Sequence, residues 1–237
     1  MGTRPSTTLR RVNNEPTTSE VRYSVQEQIA TLTLNAPERM NTISGPMLTA
    51  ISELLLAADR DPGVRCIVIT GEGRAFCAGL DLQAQMAGPK GGLGNLGDGS
   101  SFTGEFDLRD APPTVLHNLD TPTVCALNGG AAGYGLDLAL GCDIRIAADT
   151  AKLNPGFAKR GILPESGGTW LLPRIVGYAT AAEIAFTGRT LLADEAEELG
   201  LVNHVVPADE LPKRTADLAG EIARNAPLAV RAIKRMM

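Results

Sequence analysis

The 237-residue sequence predicts an α/β fold in which a ββα unit repeats. Two observations carry this reading. The run VRCIVIT (64–70) is apolar almost throughout rather than at alternate positions, the pattern of a strand covered on both faces. The succession of strand, glycine-rich turn, helix and strand also occurs twice, once from residue 64 and again from residue 123, as a repeated supersecondary unit requires.

In chain order, residues 1–19 (MGTRPSTTLRRVNNEPTTS) hold almost nothing to bury and read as a disordered leader. A plain tail fits them better than an organellar transit peptide. The main body is expected to occupy 20–190. VRYSV and QIATLTL alternate as two strands of a hairpin, with Ala30, Leu32 and Leu34 on one face. PERMN breaks the hairpin. Ser44 then caps a helix in which Met47, Leu48, Ile51, Leu54, Leu55 and Ala58 recur at helical spacing, and DPGV ends it. After the strand at 64–70 comes the glycine-rich turn GEGRAFCAGLDL, placed where α/β proteins tend to put ligands. The stretch 87–110 has seven glycines and no periodicity; it is expected to be a lid or specificity loop, or plain disorder.

A short helix at Val115–Leu119, a strand at Thr123–Leu127, a helix at 133–140 and the strand CDIRIAA follow, the last with Cys142, Ile144 and Ile146 on one face. GGTWLLPRIV, TAAEIAF, DEAEELG and the segment from Asp209 read as helices, with Gly188 and Gly200 as stops and NHVV as a short edge strand. Residues 191–237 are thus a mainly helical region suited to assembly or to covering a site.

Composition narrows the partners. With 43% hydrophobic residues the chain can bury a sizeable core, and 22 basic against 27 acidic residues leave no basic footprint for nucleic acid. No apolar run reaches the roughly 18 residues of a membrane helix, and the N-terminus lacks a secretory core, which points to a cytoplasmic protein. Cys66, Cys77, Cys125 and Cys142 form no CxxC pair and read as reduced core thiols.

The chemistry concentrates between Asn128 and Trp170. Two glycine-rich turns there each open into an apolar run beside a carboxylate, Asp137 and Glu165. Glycines admit a close approach to backbone N–H groups, and helix starts carry partial positive charge, so such turns can hold an oxyanion while an acid moves protons. Asp137 reads equally as a buried hydrogen-bonded acid or a helix-dipole partner, and Glu165 as a helix cap. Phe102, Phe106, Tyr134, Phe157 and Trp170 fit an apolar pocket or ordinary core and surface. His117 and His204 stand far apart with no companion ligand, so no metal site is expected. The glycine spacings match neither GxGxxG nor GxxxxGK[ST], and no GxSxG elbow is present.

PERMN (37–41), GEGRAFCAGLDL (71–82), TPTVCALNGGAAGYGLDLALGCDIRIAAD (121–149), GILPESGGTWLLPRIVG (161–177), FTGRTLLADEAEELGLVNHVV (186–206) and NAPLAVRAIK (225–234) together resemble the crotonase, or enoyl-CoA hydratase/isomerase, superfamily. The resemblance covers nearly all the chain after residue 20. It implies a spiral of ββα turns with a helical C-terminal trimerisation region, a homotrimer or a hexamer of paired trimers, and an acyl-CoA thioester as substrate. It implies no cofactor beyond the coenzyme A that the substrate carries. The backbone N–H groups of Leu80 and Tyr134 match the family's two oxyanion donors, flanked by Gly79 and Gly133. Ala78 matches an adenine contact, and Arg39 lies near the entry for CoA. Family members continue past the position of Met237 into a helix that often completes the CoA pocket.

The departures from the family pattern bear on the reaction. Family hydratases hold water with two glutamates; here the first position is Asp137 and the second is Phe157, which cannot take a proton. Glu165 matches the position where enoyl- and dienoyl-CoA isomerases keep their acid and an aryl-CoA dehalogenase keeps its aspartate. The resemblance therefore implies double-bond isomerisation, with Glu165 as the main acid/base, Asp137 assisting and Phe157 in the substrate pocket. Hydration through Asp137 and Glu165 is the runner-up. Hydrolysis, decarboxylation and non-catalytic acyl-CoA binding are further alternatives.

Overall fold

The computed structural model describes residues 18–81, 111–164 and 166–237. All but the last two residues of the expected leader, the loop expected at 87–110, and Glu165 lie outside the described residues.

Strands β1 (Val21–Gln26) and β2 (Ile29–Leu34) form the expected antiparallel hairpin, with Ala30, Leu32 and Leu34 fully buried. In α1 (Gly45–Arg60) the Ser44 hydroxyl accepts from the Met47 N–H, and the six apolar residues read from the sequence are all buried. Strands β3 (Cys66–Gly71), β5 (Thr123–Leu127), β7 (Ile144–Ala148) and β10 (His204–Val206) extend the hairpin into a six-stranded sheet, ordered β1-β2-β3-β5-β7-β10 and parallel from β2 onward. A second, four-stranded sheet is ordered β4-β6-β8-β9, from β4 (Ala75–Cys77), β6 (Gly130–Ala132), β8 (Lys152–Asn154) and β9 (Leu191–Leu192). Helix α2 (Pro112–Asn118) comes before β5, and α3 (Tyr134–Leu140) follows β6. Each turn of the chain from β3 to β8 thus gives its first strand to the large sheet and its second to the small one.

The apolar run at 64–70 is covered on both faces, as predicted. Ile67 and Ile69 join the core that includes α1, whereas Cys66 and Val68 join a second core closed by Leu211 and Ala219 of α7 (Leu211–Arg224). Burial of this kind is worth about 25 cal/mol per Å² of apolar surface.

Three sequence expectations are corrected. The segments forming β4, β6, β8 and β9 were read as turns or left unassigned, yet they build a sheet. Helix α2 begins at Pro112 rather than at Val115, because proline suits a first helical turn whose N–H groups have no partner anyway. Cys142 does not share a face with Ile144 and Ile146: β7 starts at Ile144, and Cys142 turns into the larger core while Ile146 faces the smaller one.

Helices α4 (Gly168–Val176), α5 (Tyr178–Thr187), α6 (Ala193–Glu198), α7 and α8 (Pro227–Met236) make up the rest. Arg145 is buried behind α3. Its guanidinium donates to the carbonyls of Ala139 and Cys142 at 3.4 and 2.6 Å and to Leu201 O at 2.8 Å, which caps the C-terminal end of α3. Helix α8 buries no residue fully. It is tied down by charge: Lys234 to Asp143 at 2.7 Å, Arg231 to Asp59 at 3.3 Å and Arg235 to Asp120 at 2.6 Å, while Leu228, Ile233 and Met236 remain exposed.

The turn from β3 to β4 is gripped by two side chains. Asn41, fully buried with φ of 54°, accepts from Ala36 N–H and donates to the carbonyls of Glu72 and Ala75 at 2.9 and 2.8 Å. Asn128 accepts from Gly71 N–H at 3.0 Å and donates to the carbonyls of Gly73 and Ala75. Asparagine tolerates the left-handed conformation and offers both a donor and an acceptor, so few residues could replace Asn41. Asn41→Ala strands buried backbone groups and is expected to cost roughly 2 to 4 kcal/mol. The check is a urea unfolding curve, in which the midpoint falls while the slope is unchanged.

Candidate active site

After β4 the backbone of 78–81 runs alongside 40–43. Ala78 N–H donates to Met40 O at 3.0 Å, Ile43 N–H to Gly79 O at 2.8 Å, and Asp81 N–H to Ile43 O at 3.0 Å, around a single parallel bridge between Ile43 and Leu80. Successive backbone groups in an extended segment face opposite sides. Because Gly79 O and Asp81 N–H face Ile43, the Leu80 N–H faces away from it.

Tyr134 is the first residue of α3, so its N–H belongs to the turn that points out of the helix end. Gly133 precedes it at φ 52° and ψ −123°, backbone angles a side chain would strain, and is anchored by its own N–H to Asn154 O at 2.9 Å. The two turns are close: a Cβ on Gly79, itself at φ +113°, would lie 4.0 Å from Tyr134 N and 3.1 Å from Ala132 O.

Ala78, Gly79, Leu80, Gly133, Tyr134 and Phe157, all singled out from the sequence, line one pocket of about 110 Å³. The Phe157 ring approaches to 4.0 Å from where a Gly133 side chain would begin, so it stands over the turn that carries the Tyr134 amide. Pro155, Gly156, Arg160 and Ile162 complete the lining and were not foreseen. They arrive together because the Phe157 carbonyl accepts from both Arg160 N–H and Ile162 N–H, at 2.9 and 3.1 Å, which curls 157–162 back over the pocket.

Asp137 lies behind the pocket wall. It is 2% exposed, and Ser166 Oγ donates to its Oδ2 at 2.8 Å. Gly168, at the start of α4, lets the carboxylate approach, since a Cβ there would be 2.1 Å from Oδ1. The acid is therefore held at the first turn of α3 and against the first turn of α4, both of which favour negative charge. Ser166 was not singled out from the sequence; a lone serine between a helix start and a proline carries no distinctive signal. Glu165 lies outside the described residues.

Arg39 does not line the pocket. It pairs with Glu20 at 2.7 Å and lies 3.8 Å from Asp81, and its Nε donates to Thr42 O. Burial pushes the Glu20 carboxyl up, but hydrogen bonds from Ser44 and Arg39 outweigh it and leave the group below the usual carboxylate range. His117 meets the Trp170 ring edge-on at 4.8 Å, with Arg174 over the same ring at 3.8 Å, so this aromatic belongs to a surface cluster and not to the pocket. Among the described residues, no group of three or more His, Cys, Asp or Glu is arranged to hold a metal, and no helix is long and apolar enough to cross a membrane.

A larger cleft of about 620 Å³ lies on the outer face of the six-stranded sheet, floored by Thr31, Thr33 and Thr70 and crossed by an ion pair between Arg22 and Glu72. Its size exceeds that of the pocket, but it gathers none of the residues the chemistry requires. The pocket at Leu80 and Tyr134 is the better candidate.

The chain is similar to known proteins. A family model described as Enoyl-CoA hydratase/isomerase matches residues 24–237. The chain is 42% identical to a 1,2-epoxyphenylacetyl-CoA isomerase from Escherichia coli (strain K12), over 85% of this chain and 73% of that one. It is 35% identical to the enoyl-CoA hydratase EchA19 of Mycobacterium tuberculosis, over 86% and 74%. The solved structure of an enoyl-CoA hydratase from Bacillus anthracis superposes with a TM-score of 0.83 at 32% identity, covering 92% of this chain and 81% of that chain.

Cys77 is the thiol nearest these turns: its Sγ lies 3.8 Å from Gly79 O, and burial pushes its pKa up to about 12. A thiol in that state is a poor nucleophile. Iodoacetamide at mildly alkaline pH is expected to leave Cys66, Cys77, Cys125 and Cys142, all free and buried, unlabelled in the folded protein and to label all of them in denaturing urea, as read by intact-mass spectrometry.

Proposed function

The chain belongs to the enoyl-CoA hydratase/isomerase family, and from that premise we propose that it moves the double bond of an enoyl-CoA thioester through an enolate. One observation carries the reading: the backbone at Leu80 and Tyr134 converges on a single pocket whose facing side chain is Phe157, a residue that can neither give nor take a proton. In this reading the thioester oxygen accepts from the N–H groups of Leu80 and Tyr134. As a carboxylate removes a proton from the carbon next to the carbonyl, the C–H electron pair moves into the C–C bond and charge collects on that oxygen. Two aimed N–H donors stabilise such charge by a few kcal/mol. The enolate then takes the proton back two carbons along, and the double bond moves with no net loss of atoms.

Glu165 is the carboxylate assigned to the proton. Asp137, bonded by Ser166, assists by holding the start of α4 against the helix that Tyr134 opens. The ring of Phe157 takes the place where a water would be held in family hydratases, which disfavours addition of water. Hydration of 2-enoyl-CoA is the second reading, supported by the likeness to enoyl-CoA hydratases. No cofactor is required beyond the CoA of the substrate. A homotrimer, or a hexamer of paired trimers, is the assembly this reading carries, supported by the exposed Tyr178, Phe186 and Leu228. A cytoplasmic setting fits the four free thiols.

Turnover of a 3-enoyl-CoA and of a 2-enoyl-CoA decides between these readings. The wild type is expected to convert the 3-enoyl substrate faster than it hydrates the 2-enoyl one. Glu165→Gln should lower kcat by about 100-fold or more, and Asp137→Asn by less. Full activity of Glu165→Gln on both substrates would remove Glu165 from the mechanism, and release of free CoA or of a shortened acyl chain would point to hydrolysis or decarboxylation instead.

A further inference from the structure

Among the described residues, Arg160 is the one charged side chain on the pocket wall. It is exposed, its Nη1 donates to Gly156 O at 3.3 Å, and it pairs with no carboxylate among the described residues. Its position is built rather than incidental: the hydrogen bonds of the Phe157 carbonyl to Arg160 N–H and Ile162 N–H hold its backbone in the turn that closes the pocket. A guanidinium is a planar fork that matches a carboxylate with two parallel N–H bonds. With no carboxylate partner among the described residues, and with the other described residues of the wall uncharged, this guanidinium is open to an anion.

The size of the pocket places that anion. At about 110 Å³ it holds the equivalent of roughly four waters, so a cation on its wall lies only a few bonds from a carbonyl held at Leu80 and Tyr134. It also sits three residues from Phe157, which faces the acyl carbons in the proposed mechanism. The phosphates of CoA are set off by the length of the pantetheine arm. Resting on the acyl-CoA reading above, we propose that Arg160 binds a carboxylate at the far end of the acyl group, and that the preferred substrates are enoyl-CoA thioesters of short dicarboxylic acids.

The test uses the full chain and ligands that cannot react. Binding of adipoyl-CoA and hexanoyl-CoA is measured by calorimetry for wild type, Arg160→Leu and Arg160→Lys, and repeated with adipoyl- and hexanoyl-pantetheine, which lack the phosphates. The wild type is expected to bind the adipoyl ligand about 10- to 100-fold tighter than Arg160→Leu does, as for a charge-assisted hydrogen bond. Hexanoyl-CoA binding should be unchanged in Arg160→Leu, part of the preference should survive in Arg160→Lys, and the pantetheine pair should show the same ratio. An adipoyl-to-hexanoyl ratio equal in wild type and Arg160→Leu would make Arg160 a solvated surface cation and overturn the proposal. Equal weakening of both CoA ligands with no effect on the pantetheine pair would assign it to the phosphates and also overturn it. Turnover of hex-3-enedioyl-CoA and hex-3-enoyl-CoA is followed separately. If neither isomerises while the adipoyl preference holds, the isomerase reading fails and the carboxylate site stands.

Discussion

Asn41 and Asn128 reach the same turn from two different repeats of the chain, and the geometry of the pocket depends on that grip. The turn at 71–75 is where the backbone leaves the large sheet for the small one. The corner is exposed at Gly73 and buried at Ala75, whose carbonyl would lose its partners without the two side chains. Once two amide side chains satisfy it, β4 leaves in one direction only, and the residues after it must run beside 40–43. That alignment turns the Leu80 N–H away from Ile43. An error of one residue in the register would turn it the opposite way.

Tyr134 is placed by α3. This helix is only seven residues long, yet both ends are engaged: Arg145 covers its last carbonyls, and the pocket lies at its first N–H groups. A short helix polarised in this way presents its positive end to any oxygen that gains charge there. Burial pulls the Arg145 pKa down, a cost offset by the three carbonyls it satisfies. Asp137 sits between this helix and the next. The contact with Gly168 is so close that no side chain fits between the acid and the start of α4.

How far the sequence could be read follows from segment length and chemistry. The hairpin, α1, β3 and β5 each carry five or more residues of clear periodicity or continuous apolar character, and they stand where expected. The strands of the small sheet are two or three residues long, too short for an alternation to show, and two of them contain the glycine or asparagine that otherwise marks a turn. In the pocket, Leu80 and Tyr134 were legible only through a resemblance to a family, because a backbone N–H leaves no trace in side-chain chemistry, and Phe157 was legible as a departure from that family's pattern. Arg160 and Ser166 were not legible. Each acquires its place at the site from how a turn folds back, which no spacing of residue types announces. Arg39 shows the reverse: its expected part at the CoA entry competes with ion pairs to Glu20 and Asp81 that hold it against the body of the protein.

Helix α8 joins the protein by charge on one side and shows an apolar row on the other. The two sides answer oppositely to the solution around them. Dissolved ions screen the pairs made by the partly exposed Arg231 and Arg235 over a distance of about 8 Å at physiological strength, whereas strongly hydrated salts drive apolar surfaces together. Raising the concentration of such a salt therefore loosens the hold of the helix on its own chain while strengthening the pull on its bare side, so ionic composition sets the balance between the two surfaces of the helix.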